Sequence, residues 1–143
     1  MILLDANILI YAYDSMSPHH DAVRSWVEDV FSERDEVAIP LVCVLAFLRV
    51  MSNPALFEAP MSVGEAVEIA TEWLSRPNVG IAQPTRRHWE VLAELARTGQ
   101  ARGPLLMDAH IAALALEHGA TLCTTDRDFS RFAGLTVEDP LTD

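Results

Sequence analysis

The chain has 143 residues, half of them hydrophobic, a length and composition that fit one compact domain burying roughly two thirds of its unfolded surface. Its formal net charge is −11, from 21 acidic and 10 basic residues, and every basic residue is arginine; this excludes a surface coated in positive charge for sequence-independent binding of long nucleic acid, leaves room for a local arginine patch, and suits a basic partner protein. The longest apolar stretch, IPLVCVLAFL at residues 39–48, falls well short of the about 20 residues that span a bilayer.

MILLD at residues 1–5 predicts a short buried strand, and ANILIYAYD the turn and helix that follow. No basic residue precedes this run and Asp5 interrupts it, so it does not read as a targeting segment. Ser17-Pro18 supplies a helix start, and Val23, Trp26, Val27, Val30 and Phe31 recur at helical spacing. VAIP at 37–40 reads as a second strand, followed by the apolar helix LVCVLAFLRVM, which Asn53-Pro54 ends. Ser62 and Glu65 form a capping-box pattern, with Val63, Val67, Ala70 and Leu74 expected on the inner face of the next helix. Pro77-Asn78 breaks that helix before a short strand VGIA. A helix near 86–98 carries Trp89, Leu92, Ala93 and Ala96, and the turn TGQARGP leads into LLMDAHIAALALEHG, apolar almost all round and closed by Gly119. ATLCTTD is a further buried strand, DFSRF a short helical piece and LTVED a last strand. Short apolar strands alternating with helices predict an α/β fold with a parallel sheet covered on both faces. Cys43 and Cys123 each lie in a strongly apolar run, which suits small core residues better than a disulfide or a zinc site and makes a cytoplasmic location the default.

The acids carry the chemistry. In open α/β sheets ligands bind outside the carboxyl ends of the strands, and Asp5 after MILL and Asp126 with Asp128 after TLCTT fall at such ends. Asp108 stands at the entrance of the apolar helix LLMDAHIAALAL. Two unit charges about 4 Å apart repel by about 4 kcal/mol at an effective dielectric near 20, so gathered carboxylates need compensation. Hard oxygen ligands without a histidine or cysteine set select Mg2+ or Mn2+ over zinc. Singly, Asp126 could cap the helix containing Phe129, and Asp108 could favour the positive end of its own helix. An acid straight after a buried strand, as Asp5 is, has no exposed helix face to occupy.

LLDANILIYA and MDAHIAALALEHGATLCTTDRDF, with the intervening helices in order, resemble a PIN-domain ribonuclease, specifically the VapC-type toxins of prokaryotic toxin–antitoxin pairs. The resemblance spans essentially the whole chain, residues 1–143 as a single PIN domain. It implies a three-layer α/β/α sandwich with a central, mainly parallel sheet and a metal-dependent endonuclease that cleaves RNA. It further implies a homodimer and a cognate VapB-type antitoxin whose C-terminal segment fills the site. Asp5, Asp108 and Asp126 match the family's metal-binding aspartates, Asp128 its frequent extra acid, and Asn7 and Thr125 its supporting polar residues. One position departs: where the family carries E-x-x-R after the second strand, Ala46 stands before Arg49. Either four aspartates and water suffice for the metal, or the chain is a PIN-like RNA- or partner-binding module with weak or lost catalysis.

Arg86, Arg87, Arg97 and Arg102 cluster around one helix and its following turn, and read either as contacts to RNA phosphates or as a solvated face. His19 and His20 are given no role; His110, two residues from Asp108, points elsewhere on its helix and reads as a packing or supporting contact. Trp26, Trp73 and Trp89 read as packing or interface rather than base-stacking platforms. A D-x-D phosphatase is disfavoured because Asn7 takes the second position. No G-x-G-x-x-G or G-x-x-x-x-G-K-[ST] phosphate loop occurs.

Overall fold

A computed structural model of the chain describes residues 1–32 and 35–142. Strand β1 (Ile2–Leu4) leads into helices α1 (Ala6–Tyr13) and α2 (His20–Ser32), then β2 (Val37–Pro40), α3 (Leu41–Met51), α4 (Val63–Ser75) and β3 (Val79–Ala82). Helices α5 (His88–Thr98) and α6 (Leu105–Glu117) precede β4 (Thr121–Cys123), a 3-10 turn (Arg127–Arg131) and β5 (Val137–Glu138). All strand pairs are parallel, in the order β3-β2-β1-β4-β5. The central strands are the apolar ones: β2 is buried throughout, while the edge strand β5 is exposed.

The chain starts at the centre of the sheet, winds outward to β3, then returns past β1 to β4 and β5. Parallel crossovers are right-handed, so the reversal puts α1 to α4 on one face and α5 and α6 on the other, a three-layer α/β/α sandwich. The reversal also makes the gap between the carboxyl ends of β1 and β4 the topological switch point, where open sheets accept ligands. Leu4 pairs with Cys123, and the Asp5 amide continues the ladder to the Cys123 carbonyl at 3.1 Å.

Trp73 fills the α1–α4 side of the core. It is fully buried, stacks edge-on against Phe47 with ring centroids 4.6 Å apart, and donates its indole N–H to the Tyr13 hydroxyl at 3.0 Å. Its helix is rotated from the expected phase: the inward row is Ala66, Ala70 and Trp73, while Val63 and Val67 are 66% and 44% exposed. The Ser62 hydroxyl accepts the Glu65 amide, as the capping box requires, which leaves Val63 in the outward first turn. The two alanines let the helix approach closely enough to seat the indole, and that gain outweighs burying two valines. Trp26 is partly buried, but Trp89 is 77% exposed at the start of α5, so of the two expectations for Trp89, packing or interface, packing within the chain fails. Leu95 is the residue that α5 buries.

Cys43 and Cys123 are free, buried core thiols. Burial pushes the Cys123 thiol up to about 12 and raises Cys43 further, consistent with inert packing. Among the described residues no helix is long and apolar enough to cross a membrane.

Candidate metal-binding site

Asp5 sits where β1 turns directly into α1, and 8% of it is exposed. One carboxylate oxygen caps the helix by accepting the Ala6 amide at 2.7 Å, and the other accepts the Thr124 hydroxyl at 2.8 Å. The Cys43 thiol, from the first turn of α3, makes a weak contact at 3.8 Å. Burial lifts the Asp5 pKa, the hydrogen bonds from Thr124 and Ala6 pull it back, and the charge of Asp126 adds to the rise. The capping role is the local reason an acid is tolerated after a buried strand.

Asp126 has the same dual construction. Its carboxylate caps the 3-10 turn by accepting the Asp128 amide at 2.9 Å, and its own amide donates to the Thr124 hydroxyl oxygen at 3.0 Å. Asp108 lies half-buried in the first turn of α6, and its pKa is pushed up to about 6 by burial and then by Asp126, Asp5 and Asp128, against the nearby positive charge of Arg131. Asp108, Asp126 and Asp128 each offer an oxygen within 4.8 Å of the others. Asp5 stands outside that trio but is tied to it through Thr124 and through charge.

Thr124 is the hub. It is 1% exposed, donates its one hydroxyl proton to Asp5, and accepts from Asp126 and from the Asn7 side-chain amide at 3.3 Å. Since the threonine proton is committed, Asn7 must present its NH2 to Thr124, which leaves Asn7 Oδ1 buried with no partner. An orphaned buried acceptor beside clustered carboxylates is what a hard cation, or a water bound to one, would satisfy. The residues present therefore fit a divalent metal.

Thr125, expected to support the site, makes no side-chain hydrogen bond among the described residues; the supporting contacts belong to Thr124. The spacing of Thr124 and Asp126 is that of a side-chain turn, in which a hydroxyl accepts the amide two residues on, and this pattern was available in TTD. Ala46 is three residues beyond Cys43, on the α3 face nearest Asp5, and half-buried.

The predicted RNA-contacting arginines separate. Arg86 and Arg87 are exposed near the start of α5, beside Glu117 at the far end of α6, about 13 Å along the helix from Asp108 at 1.5 Å per residue. Exposed Arg102 lies in the turn that enters α6, at the acidic end. Arg97 is paired with Glu94. His110 points away from the acids, as its spacing predicts, and hydrogen-bonds His88 at 2.9 Å. His88 in turn contacts Glu117, which also accepts the amide and hydroxyl of Thr85. This chain of contacts fastens α5 to α6, and no local pattern in the sequence announces it.

A family model described as the PIN domain matches residues 2–135. Ribonuclease VapC37 of Mycobacterium tuberculosis (strain ATCC 25618 / H37Rv) is 36% identical over 140 residues, covering 98% of this chain and 97% of its own length. Ribonuclease VapC31 of the same strain is 34% identical over 142 residues, covering 99% of this chain and 100% of its own. The solved structure of VapBC-1 from nontypeable Haemophilus influenzae superposes with a TM-score of 0.72 at 20% identity, covering 99% of this chain and 100% of that one. Mycobacterium tuberculosis VapC20, described as a sarcin-ricin loop cleaving toxin, gives 0.69 at 18% identity, covering 95% of this chain and 97% of its own. At these identities the structural likeness shows the fold alone.

Proposed function

The chain belongs to the PIN domain family, in its VapC ribonuclease branch, and from that premise we propose that it hydrolyses RNA phosphodiester bonds as the toxin of a VapBC-type pair. Asp5, Asp108 and Asp126 would hold the cation, Mg2+ or Mn2+, with Asp128 assisting and Asn7 filling the remaining oxygen position. The observation that carries this reading is the carboxylate trio within 4.8 Å, joined through Thr124 to Asn7 with its orphaned oxygen, at the sheet's switch point. A divalent cation held there would supply Lewis-acid activation of the phosphodiester and a lowered pKa for bound water. The protein's part is positioning: Thr124 and the α1 amide hold Asp5, the 3-10 turn holds Asp126, and the start of α6 holds Asp108. Arg102 would contact substrate near the acids, and Arg86 and Arg87 would meet RNA only where it extends along α5.

The relatives solved as VapBC complexes support a cognate VapB-type antitoxin, and a basic antitoxin segment suits a chain of net charge −11. A single domain over residues 1–143, a homodimer and a cytoplasmic location complete the reading. Loss of turnover is the second reading and rests on Ala46 alone. Against it stand relatives above 30% identity that are named ribonucleases and a carboxylate trio that assembles without a residue from α3.

Purified protein should cleave RNA with Mg2+ or Mn2+ and lose that activity in chelator. Asp5→Asn and Asp126→Asn should each abolish it, with Asp128→Asn milder. Undiminished cleavage by Asp5→Asn would trace the activity to a contaminant and remove the assignment.

A further inference from the structure

Arginine-to-phosphate contacts position nucleic acid most firmly when the guanidinium is already held in place. Ten arginines occur in the chain, and those singled out by sequence lie along α5 and the turn after it. Arg131 is placed differently. Its Nε donates to the Asp128 carbonyl at 3.3 Å and its Nη1 to the Gly99 carbonyl at 3.1 Å. The side chain thus bridges the turn that carries Asp126 and Asp128 to the end of α5, on the path into Asp108. Gly99 suits the second anchor: a Cβ there would stand 2.8 Å from the Leu95 carbonyl oxygen and 3.0 Å from the Phe132 ring, crowding the end of α5 and the turn beside it. Arg131 is exposed, and Nη2 is not used in either bond. Its positive charge is felt at Asp108, inside the acidic cluster.

We propose that Arg131 is a phosphate-binding residue of the nuclease site, its guanidinium fixed by the carbonyls of Asp128 and Gly99 so that the free Nη2 edge meets an RNA phosphate next to the one being cleaved. This rests on the reading of the acidic cluster as the hydrolytic centre. The strongly negative site otherwise repels a polyanion, and a pre-positioned cation at its margin offsets that repulsion at the point of entry. A purely structural clamp makes a different forecast. If Arg131 only held the turn against α5, removing it would let Asp126 and Asp128 drift from Asp108 and would weaken metal binding. If it binds phosphate, removing a cation beside the metal site leaves metal affinity unchanged or tighter while RNA engagement falls.

The test compares wild type with Arg131→Gln, Arg131→Lys and Arg127→Gln, the last removing an equal charge from the same turn. Three quantities are read: Mn2+ affinity by calorimetry, single-turnover cleavage of a labelled single-stranded oligoribonucleotide with its half-saturating protein concentration, and the salt dependence of that concentration. Arg131→Gln should raise the half-saturating concentration about tenfold and reduce the log–log salt slope by about 0.7, the value of one lost contact to a single strand. Mn2+ affinity should not fall, Arg131→Lys should recover part of the loss, and Arg127→Gln should lose less. Weaker Mn2+ binding in Arg131→Gln, an unchanged salt slope, or equal losses in both glutamine variants would overturn the proposal. Failure of the wild type to cleave any RNA would instead remove the functional reading beneath it.

Discussion

Thr124 shows how one hydroxyl organises three chain segments. It satisfies Asp5 from the end of β1, Asn7 from α1 and the amide of Asp126 from the turn after β4, so its loss leaves a buried carboxylate oxygen and two donors unmatched. Replacing Thr124 with valine, which keeps the shape, should cost about 1–3 kcal/mol and abolish cleavage, whereas Thr124→Ser retains most of both. Thr125→Val should be close to neutral, since that side chain makes none of these bonds. Denaturant unfolding together with RNA cleavage checks the pair, and a stronger effect at Thr125 than at Thr124 would contradict the assignment. TTD in the sequence contains both threonines. Distinguishing them requires the β1–β4 register, which sets Leu4 opposite Cys123 and therefore Asp5 beside Thr124.

At the scale of the element, α4 separates what periodicity can say from what packing decides. Two apolar rows run through Ala70, one with Val63, Val67 and Leu74 and one with Ala66 and Trp73, and hydrophobicity favours the first. The structure takes the second because a Trp–Phe–Tyr cluster with a satisfied indole N–H needs the small side chains of the alanine row beneath it. Ala66→Leu should then overpack the interface and cost about 1–3 kcal/mol, while Val67→Gln on the exposed row should stay within about 0.5 kcal/mol. Thermal unfolding of the two variants decides the phase of the helix, and the reverse order of stabilities would restore the first row. Helix α6 needed no such arbitration: it is apolar on nearly every side, Ala109 and Ile111 to Ala115 are all buried, and Asp108 remains at its entrance.

The whole molecule feels the acidic cluster as a pH-dependent strain. Asp108 ionises at about 6 in the fold against 3.8 for an unperturbed aspartate, so between those values the native state holds more protons than the unfolded chain. Stability contributed by this group therefore falls as pH rises through the window and levels off above it; Asp5 is shifted the same way. Glu117 works in the opposite sense: burial raises its pKa, but the hydrogen bonds from Thr85 and His88 together outweigh burial and lower it, so its contribution is lost on acidification. In chelator, Asp108→Asn should be more stable than wild type at neutral pH and lose that advantage near about pH 4. Mn2+ should raise the wild-type unfolding temperature more at neutral than at acidic pH, and should do little for Asp108→Asn. Scanning calorimetry checks both, and a metal-induced rise equal at the two pH values would remove the cluster from metal binding.

By itself the sequence determined the α/β class, the order of strands and helices, the buried cysteines, and the placement of Asp5, Asp126 and Asp128 at strand ends and of Asp108 at a helix start, because each is written in local signals: apolar runs of strand length, caps and breakers. The tertiary structure alone decided which threonine serves Asp5, which row of α4 faces inward, that His88, His110 and Glu117 meet between α5 and α6, and that Arg131 reaches back to Gly99. Each of these depends on strand register or on the approach of segments distant in the chain. Such contacts are selected by shape and by the need to pair every buried polar group, and neither constraint has a period that a single segment can display.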